Sequence, residues 1–183
     1  MKILSRLAVF AFAASILSTP LSARADSAEE INIEVAQSLK KLYAQNPVAQ
    51  ALGQQAVGVL VFPSIVKGGF IVTGQFGEGA LIEEGVTTGY YSSAGASAGF
   101  QAGAEKFGYA LFFMNDKALA YLKKSKGWSI GAGPSLVLVD KGFAKDFSTT
   151  TARKDIYAVV FNQKGLMGGV GIQGTKITRI RLD

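Results

Sequence analysis

The chain has 183 residues, 49% of them hydrophobic and 17% charged, with no cysteine and no histidine. The first absence removes disulfides, thiolate catalysis and cysteine-ligated metal; the second removes the commonest general base, the usual serine triads and most zinc sites. The formal charge of +6 comes from 19 basic against 13 acidic residues; of this, +3 remains once the basic N-terminal leader is set aside, an excess too mild to point to nucleic acid.

Lys2 and Arg6 precede an apolar run from Leu7 to Leu17, followed by Pro20 and the A-x-A sequence Ala23-Arg24-Ala25. That order reads as a secretory signal peptide over 1–25, cut before Asp26. The run is shorter than the about 17–25 apolar residues that a spanning helix needs. The leader holds three basic residues and no acidic one, which leaves 16 against 13, or +3, on the mature chain. The expectation is a periplasmic or secreted protein with one domain over 26–183, large enough to build a core without staples.

Glycine is absent from Asp26 to Leu52, and all 22 glycines follow. Ser27 and Glu30 form a capping box, and Ile31, Val35, Leu39 and Leu42 recur on one helical face behind it. That face has two readings: a membrane-surface or partner-binding element, or a stripe packed on the protein's own sheet. Asn46-Pro47 opens a second helix to about Gln55. Ala56 to Phe62 reads as a buried strand ended by Pro63. From Gly68 to Phe113, small, aromatic and polar residues alternate, and glycines at strand positions allow kinks and close backbone approach. Asn115-Asp116 opens a helix over Lys117–Lys124 that Gly127 stops. Trp128–Asp140, Asp155–Asn162 and Gly165–Leu182 read as three more strands, with a polar loop over Lys141–Lys154. The fold expected is α+β, with N-terminal helices packed on a glycine-rich, strongly bent antiparallel sheet or small barrel.

Several motifs fail on context. Gly169-Val-Gly171-Ile-Gln-Gly174 matches the dinucleotide fingerprint letter for letter, but a strand rather than a helix is expected to follow it. The same residues miss a Walker loop because Thr175 precedes Lys176. Glu83 and Glu84 are adjacent and would point to opposite faces of a strand. Glu78, between Gly77 and Gly79, reads as a hairpin charge. Thr149-Thr150-Thr151 has no base to activate it and reads as a polar turn. Nothing calls for a cofactor or a metal, and the chain is not expected to be an enzyme.

The order of short blocks is informative. Ala56-Val-Gly-Val-Leu-Val-Phe-Pro63 leads to Lys67-Gly-Gly-Phe70 and Gly77-Glu-Gly79. Phe112-Phe-Met-Asn115, Gly127-Trp128, Gly131-Ala-Gly133-Pro134, Thr149-Thr150-Thr151 and Asp155-Ile-Tyr157 follow, and Gly165-Leu166 and Gly174-Thr175-Lys176-Ile177 close the series. Across about Ser27 to Leu182 this resembles the SYLF domain family, the lipid-binding or actin-regulator SYLF domain. The resemblance implies a non-enzymatic lipid-binding module. Eukaryotic members resemble membrane adaptors that use an amphipathic helix and basic residues on phosphoinositides, some also binding actin; bacterial members are envelope proteins described as lipid-binding. The expected partner is anionic phospholipid at a membrane surface.

Lipid binding needs cations for the head groups and apolar groups for the interface, each cation contributing about 1 kcal/mol near an anionic surface. The candidates are Lys123, Lys124 and Lys126 before Trp128, Arg153 and Lys154 in the loop, and Lys67 from the family pattern, with Ile31, Val35, Leu39 and Leu42 as the membrane-facing helix. Each lysine also reads as an ordinary solvated charge. The competing function is a protein-interaction or structural envelope module, using an open sheet edge or the flat run of small residues from Ser92 to Gly103 as a platform for an envelope protein partner.

Overall fold

A computed structural model describes residues 27–70, 72–98, 103–139, 154–165 and 171–182. The segment expected to be a signal peptide, Arg153, the threonine run and most of the polar loop lie outside the described residues. The elements are α1 (Ala28–Gln45), α2 (Pro47–Gln55), β1 (Gly58–Gly69), β2 (Val72–Glu83), β3 (Val86–Ala98), β4 (Gly103–Phe113), α3 (Asp116–Lys124), β5 (Trp128–Ser129), β6 (Leu136–Val139), β7 (Ile156–Gly165) and β8 (Lys176–Ile180). The fold is α+β, as expected.

The helices begin where their caps dictate. The Ser27 hydroxyl accepts from the Glu30 N–H at 3.2 Å while the Glu30 carboxylate accepts from the Ser27 N–H at 2.9 Å, so the capping box closes in both directions. Asn46 and Asn115 cap α2 and α3 through their side-chain oxygens, at 3.0 and 2.9 Å from the N–H groups of Ala49 and Ala118. Each cap satisfies an N–H that has no partner within the helix.

The strands form one eight-stranded sheet in the order β5-β8-β3-β2-β1-β4-β7-β6. Every pairing is antiparallel except β6 with β7, so the sheet is mixed. Trp128–Asp140, expected as one strand, divides into β5 and β6, which lie at opposite edges of the sheet. Residues 130–135 join these edges. Their seven Cα steps reach about 25 Å at most, whereas eight flat strands would hold the edges about 34 Å apart. The sheet must therefore curl, and it does so as a half-barrel with this strap across its open side. The Trp128 indole N–H anchors the strap by donating to the Ala132 carbonyl at 2.7 Å.

Alternate residues along the strands enter two cores. On the inner face Leu60, Phe62, Tyr91, Tyr109, Leu111 and Phe113 pack with α3, Trp128 and Ile130. On the outer face Val59, Val61, Ala80, Ala110 and Phe112 pack under α1 and α2. β1 does not end at Pro63. A bulge between Phe62 and Ile65 takes the proline, whose missing N–H is tolerated there, and the strand runs on to Gly69. Gly79 lies beneath this irregularity, and a Cβ on it would strike the Val61 carbonyl.

Candidate functional site

Below the bulge the sheet changes character. Directly paired residues share a face, so the register defines one outer row: Lys164, Lys106, Val66, Phe76, Ala94 and Lys176, on β7, β4, β1, β2, β3 and β8. Among the described residues the next outer row toward the β1–β2 turn holds Ala104, Gly68, Gly74 and Ala96. Val66, Val72 and Phe76 are 57%, 63% and 53% exposed, and Phe70 at the turn is 69% exposed. The helices cover the other half of this face: Ile31, Val35 and Leu42 are buried there, and Leu39 packs against them. The result is a continuous apolar surface of flat small residues and large side chains, with lysines at both flanks. An acidic residue on the same face, Glu78, stands two positions along β2 from Phe76 and has an interaction of its own.

The opposite face of the same strands is polar. Lys67 is 7% exposed and stands across the ladders from Gln75 and from Glu105, which is 2% exposed. Glu105 Oε1 accepts from the Gln163 amide at 2.6 Å, and its Oε2 is buried with no hydrogen-bond partner. The Gln75 amide donates to the buried Thr175 hydroxyl at 2.6 Å. It reaches across Gly95, where a Cβ would press on it at 2.9 Å. Thr73 is buried with its hydroxyl 2.7 Å from Ser97 Oγ, and the Tyr109 hydroxyl donates to Ser93 at 2.7 Å. Burial pushes the Tyr109 phenol far above its ordinary value, so it stays a donor.

The expected site residues are divided by this geometry. Ile31, Val35, Leu39 and Leu42 form the underside of α1 and face the sheet, which corrects the membrane-facing reading of that helix. Polar bonds reinforce the docking: the Asn32 amide donates to the Tyr90 hydroxyl at 2.9 Å and its oxygen accepts from Thr87 at 2.9 Å. Lys67 faces inward and does not reach the surface. Lys123 is bound to Glu83 at 2.6 Å, beside the β2–β3 turn. Burial pushes the Glu83 carboxyl up, but hydrogen bonds from Lys123 and Thr88 and the lysine's charge bring it below its ordinary value. Lys124, Lys126 and Lys154 are exposed. Lys123 and Lys124 at the end of α3, beside Glu83, and Lys154 before β7 sit toward the end of the sheet away from the exposed apolar surface, whereas Lys126 precedes Gly127, which lies against Lys176. Glu78 lies in the middle of β2, opposite Ser92, not in a hairpin turn. Gly174 is followed by β8, so the fingerprint look-alike has the strand expected after it. β3 lies inside the sheet, so its small residues furnish a face and not an edge.

Sequence reading missed Lys106, Lys164, Lys176, Val66, Val72 and Phe76. The available signal was the alternation Val72-Thr73-Gly74-Gln75-Phe76, whose apolar and polar sides were visible without any mark of which was buried. Among the described residues no helix is long and apolar enough to cross a membrane. No curated protein matches the chain. Residues 94–181 match the family model Ysc84, described as Las17-binding protein actin regulator. From the end of β3 through β8, the chain is therefore similar to the Ysc84 family, in agreement with the SYLF family whose block order it resembles.

Proposed function

We propose that this chain is an exported, non-enzymatic protein, one domain over 26–183, that binds anionic lipid at a membrane surface. The observation that carries the reading is the uncovered apolar half of the outer face, flanked by Lys106, Lys164 and Lys176. Large exposed apolar patches mark interaction sites. Lys106 and Lys164 stand directly opposite each other, an arrangement that costs free energy unless an anion lies over both. The lipid-binding implication of the SYLF resemblance supports the same reading, and the basic, apolar and A-x-A order of residues 1–25 supports export.

The test is co-sedimentation of the purified protein with neutral or anionic vesicles at low and high salt. Binding confined to anionic vesicles and weakened by salt is expected. Removing both cations in Lys106→Ala/Lys164→Ala should weaken it on the order of 30-fold, at about 1 kcal/mol per lysine. Lys123→Ala/Lys124→Ala should change it little; the reverse ranking would move the site to the α3 end. Absence of binding to any vesicle would refute the lipid reading. It would favour a protein-interaction module instead, for which the flat rows of Gly68, Gly74, Ala94 and Ala96 offer a platform.

A further inference from the structure

The lower half of the half-barrel wall has the polarity of a membrane barrel rather than that of a water-soluble sheet. In a soluble sheet the polar residues of each strand face water and the apolar ones face the core. Transmembrane barrel strands reverse this, apolar outward and polar inward. Along β1 and β2, the change occurs at the bulge. Above it both faces are apolar and covered. Below it Lys67 and Thr73 are buried while Val66, Val72 and Phe76 face out, and Phe70 projects at the turn.

The inner polar residues are held by one another, through Gln75 to Thr175, Thr73 to Ser97 and Gln163 to Glu105. Immersing the outer face therefore strips water from few of them. β1 and β2 are also hydrogen-bonded to each other and to β4 and β3, so their backbone groups are paired before any lipid is met, the condition for placing strands in hydrocarbon. Lys106, Lys164 and Lys176 flank this segment in one row, where their long stems can carry the charges up to the head groups.

Resting on the lipid reading above, we infer that the β1–β2 turn end penetrates the bilayer interface, with Phe70 and Val72 below the head groups and the three lysines among them. The protein would thus be wedged into one leaflet by a strand pair, with α1 remaining folded against the sheet.

The chain has no cysteine, so one introduced thiol gives a single labelling site. Phe70→Cys and Val72→Cys, both at exposed positions, would each carry an environment-sensitive fluorophore, and Lys124→Cys on α3 would serve as the distant control. The vesicles would contain equal parts phosphatidylcholine and phosphatidylglycerol, with or without a quencher on the acyl chain. The expected result is a blue-shifted, several-fold brighter signal at 70 and 72, quenched from the acyl chain, and no change at 124. Sedimentation with the vesicles without any shift at 70 or 72 would overturn penetration and leave surface binding standing. Failure to sediment would remove both. A shift that grows with protein concentration in the absence of vesicles would show that a second copy covers this face, and would also overturn the inference.

Discussion

Asp155 shows how much of this fold passes through one carboxylate. One oxygen accepts from the Ser135 N–H and hydroxyl at 2.9 and 2.8 Å, and the other from the Asn115 amide at 3.0 Å. Ser135 ends the strap and Asn115 caps α3, so a single side chain at the mouth of β7 fixes three segments. The Ser135 backbone N–H, then the Asn115 and Ser135 side chains, hold the carboxyl below its ordinary value. A carboxyl lowered on folding contributes stability that is present above its unfolded value and lost as the pH falls through the folded one. Asp155→Asn should therefore destabilise the protein near neutral pH by about 1 kcal/mol, a figure kept low because solvent screens the site. The difference from the parent should close only in acid well below the ordinary carboxyl range, where Asp155 is protonated in the folded protein as well. Urea unfolding of both proteins at the two pH values measures this; a gap that persists in acid would assign the loss to geometry and not to charge.

At the scale of elements, α1 was legible in almost every detail. Ser27, Glu30 and the spacing Ile31, Val35, Leu39, Leu42 specify its start and its buried side, because caps and period are local properties. The same residues left open what the apolar side would face, since a stripe suited to a sheet is also suited to a lipid surface. The structure decides for the sheet, and Leu42→Ala tests that decision. Truncating a buried leucine should lower unfolding free energy by about 2–4 kcal/mol while leaving vesicle binding of the folded protein unchanged. Loss of vesicle binding with intact stability would mean that the helix leaves the sheet at a membrane. The strands were less legible. Pro63 looked like an end because proline cannot donate to a ladder, yet a bulge accommodates it. Trp128–Asp140 looked continuous because apolar patterning carries no record of which neighbour each residue pairs with. The parallel β6–β7 pair depends on that same non-local choice.

For the whole molecule, composition and block order indicated a helix-then-sheet α+β protein and the family it resembles, whereas the polarity reversal below the bulge was not readable. Period-two patterning separates two sides of a strand, but the side that is inside is set by how β1, β2, β3 and β4 curl together. The same curl makes the strap consequential for the order of assembly. β1, β2 and β3 pair as sequential neighbours, so they can form by short loop closures. The partnership of β8 with β3 and β5 cannot, because it joins residues such as Tyr90 and Ile180, and wide separations slow folding to the millisecond-to-second range. The chain's only tryptophan, Trp128, lies in β5 at this late seam, where it pairs with Ile177 and stands 6.3 Å from the Phe113 ring. Its fluorescence is thus an intrinsic clock for closure. In stopped-flow refolding the far-ultraviolet circular dichroism of the helices and the β1–β3 meander should recover ahead of it; coincident traces would mean that the meander is not stable until the seam has closed.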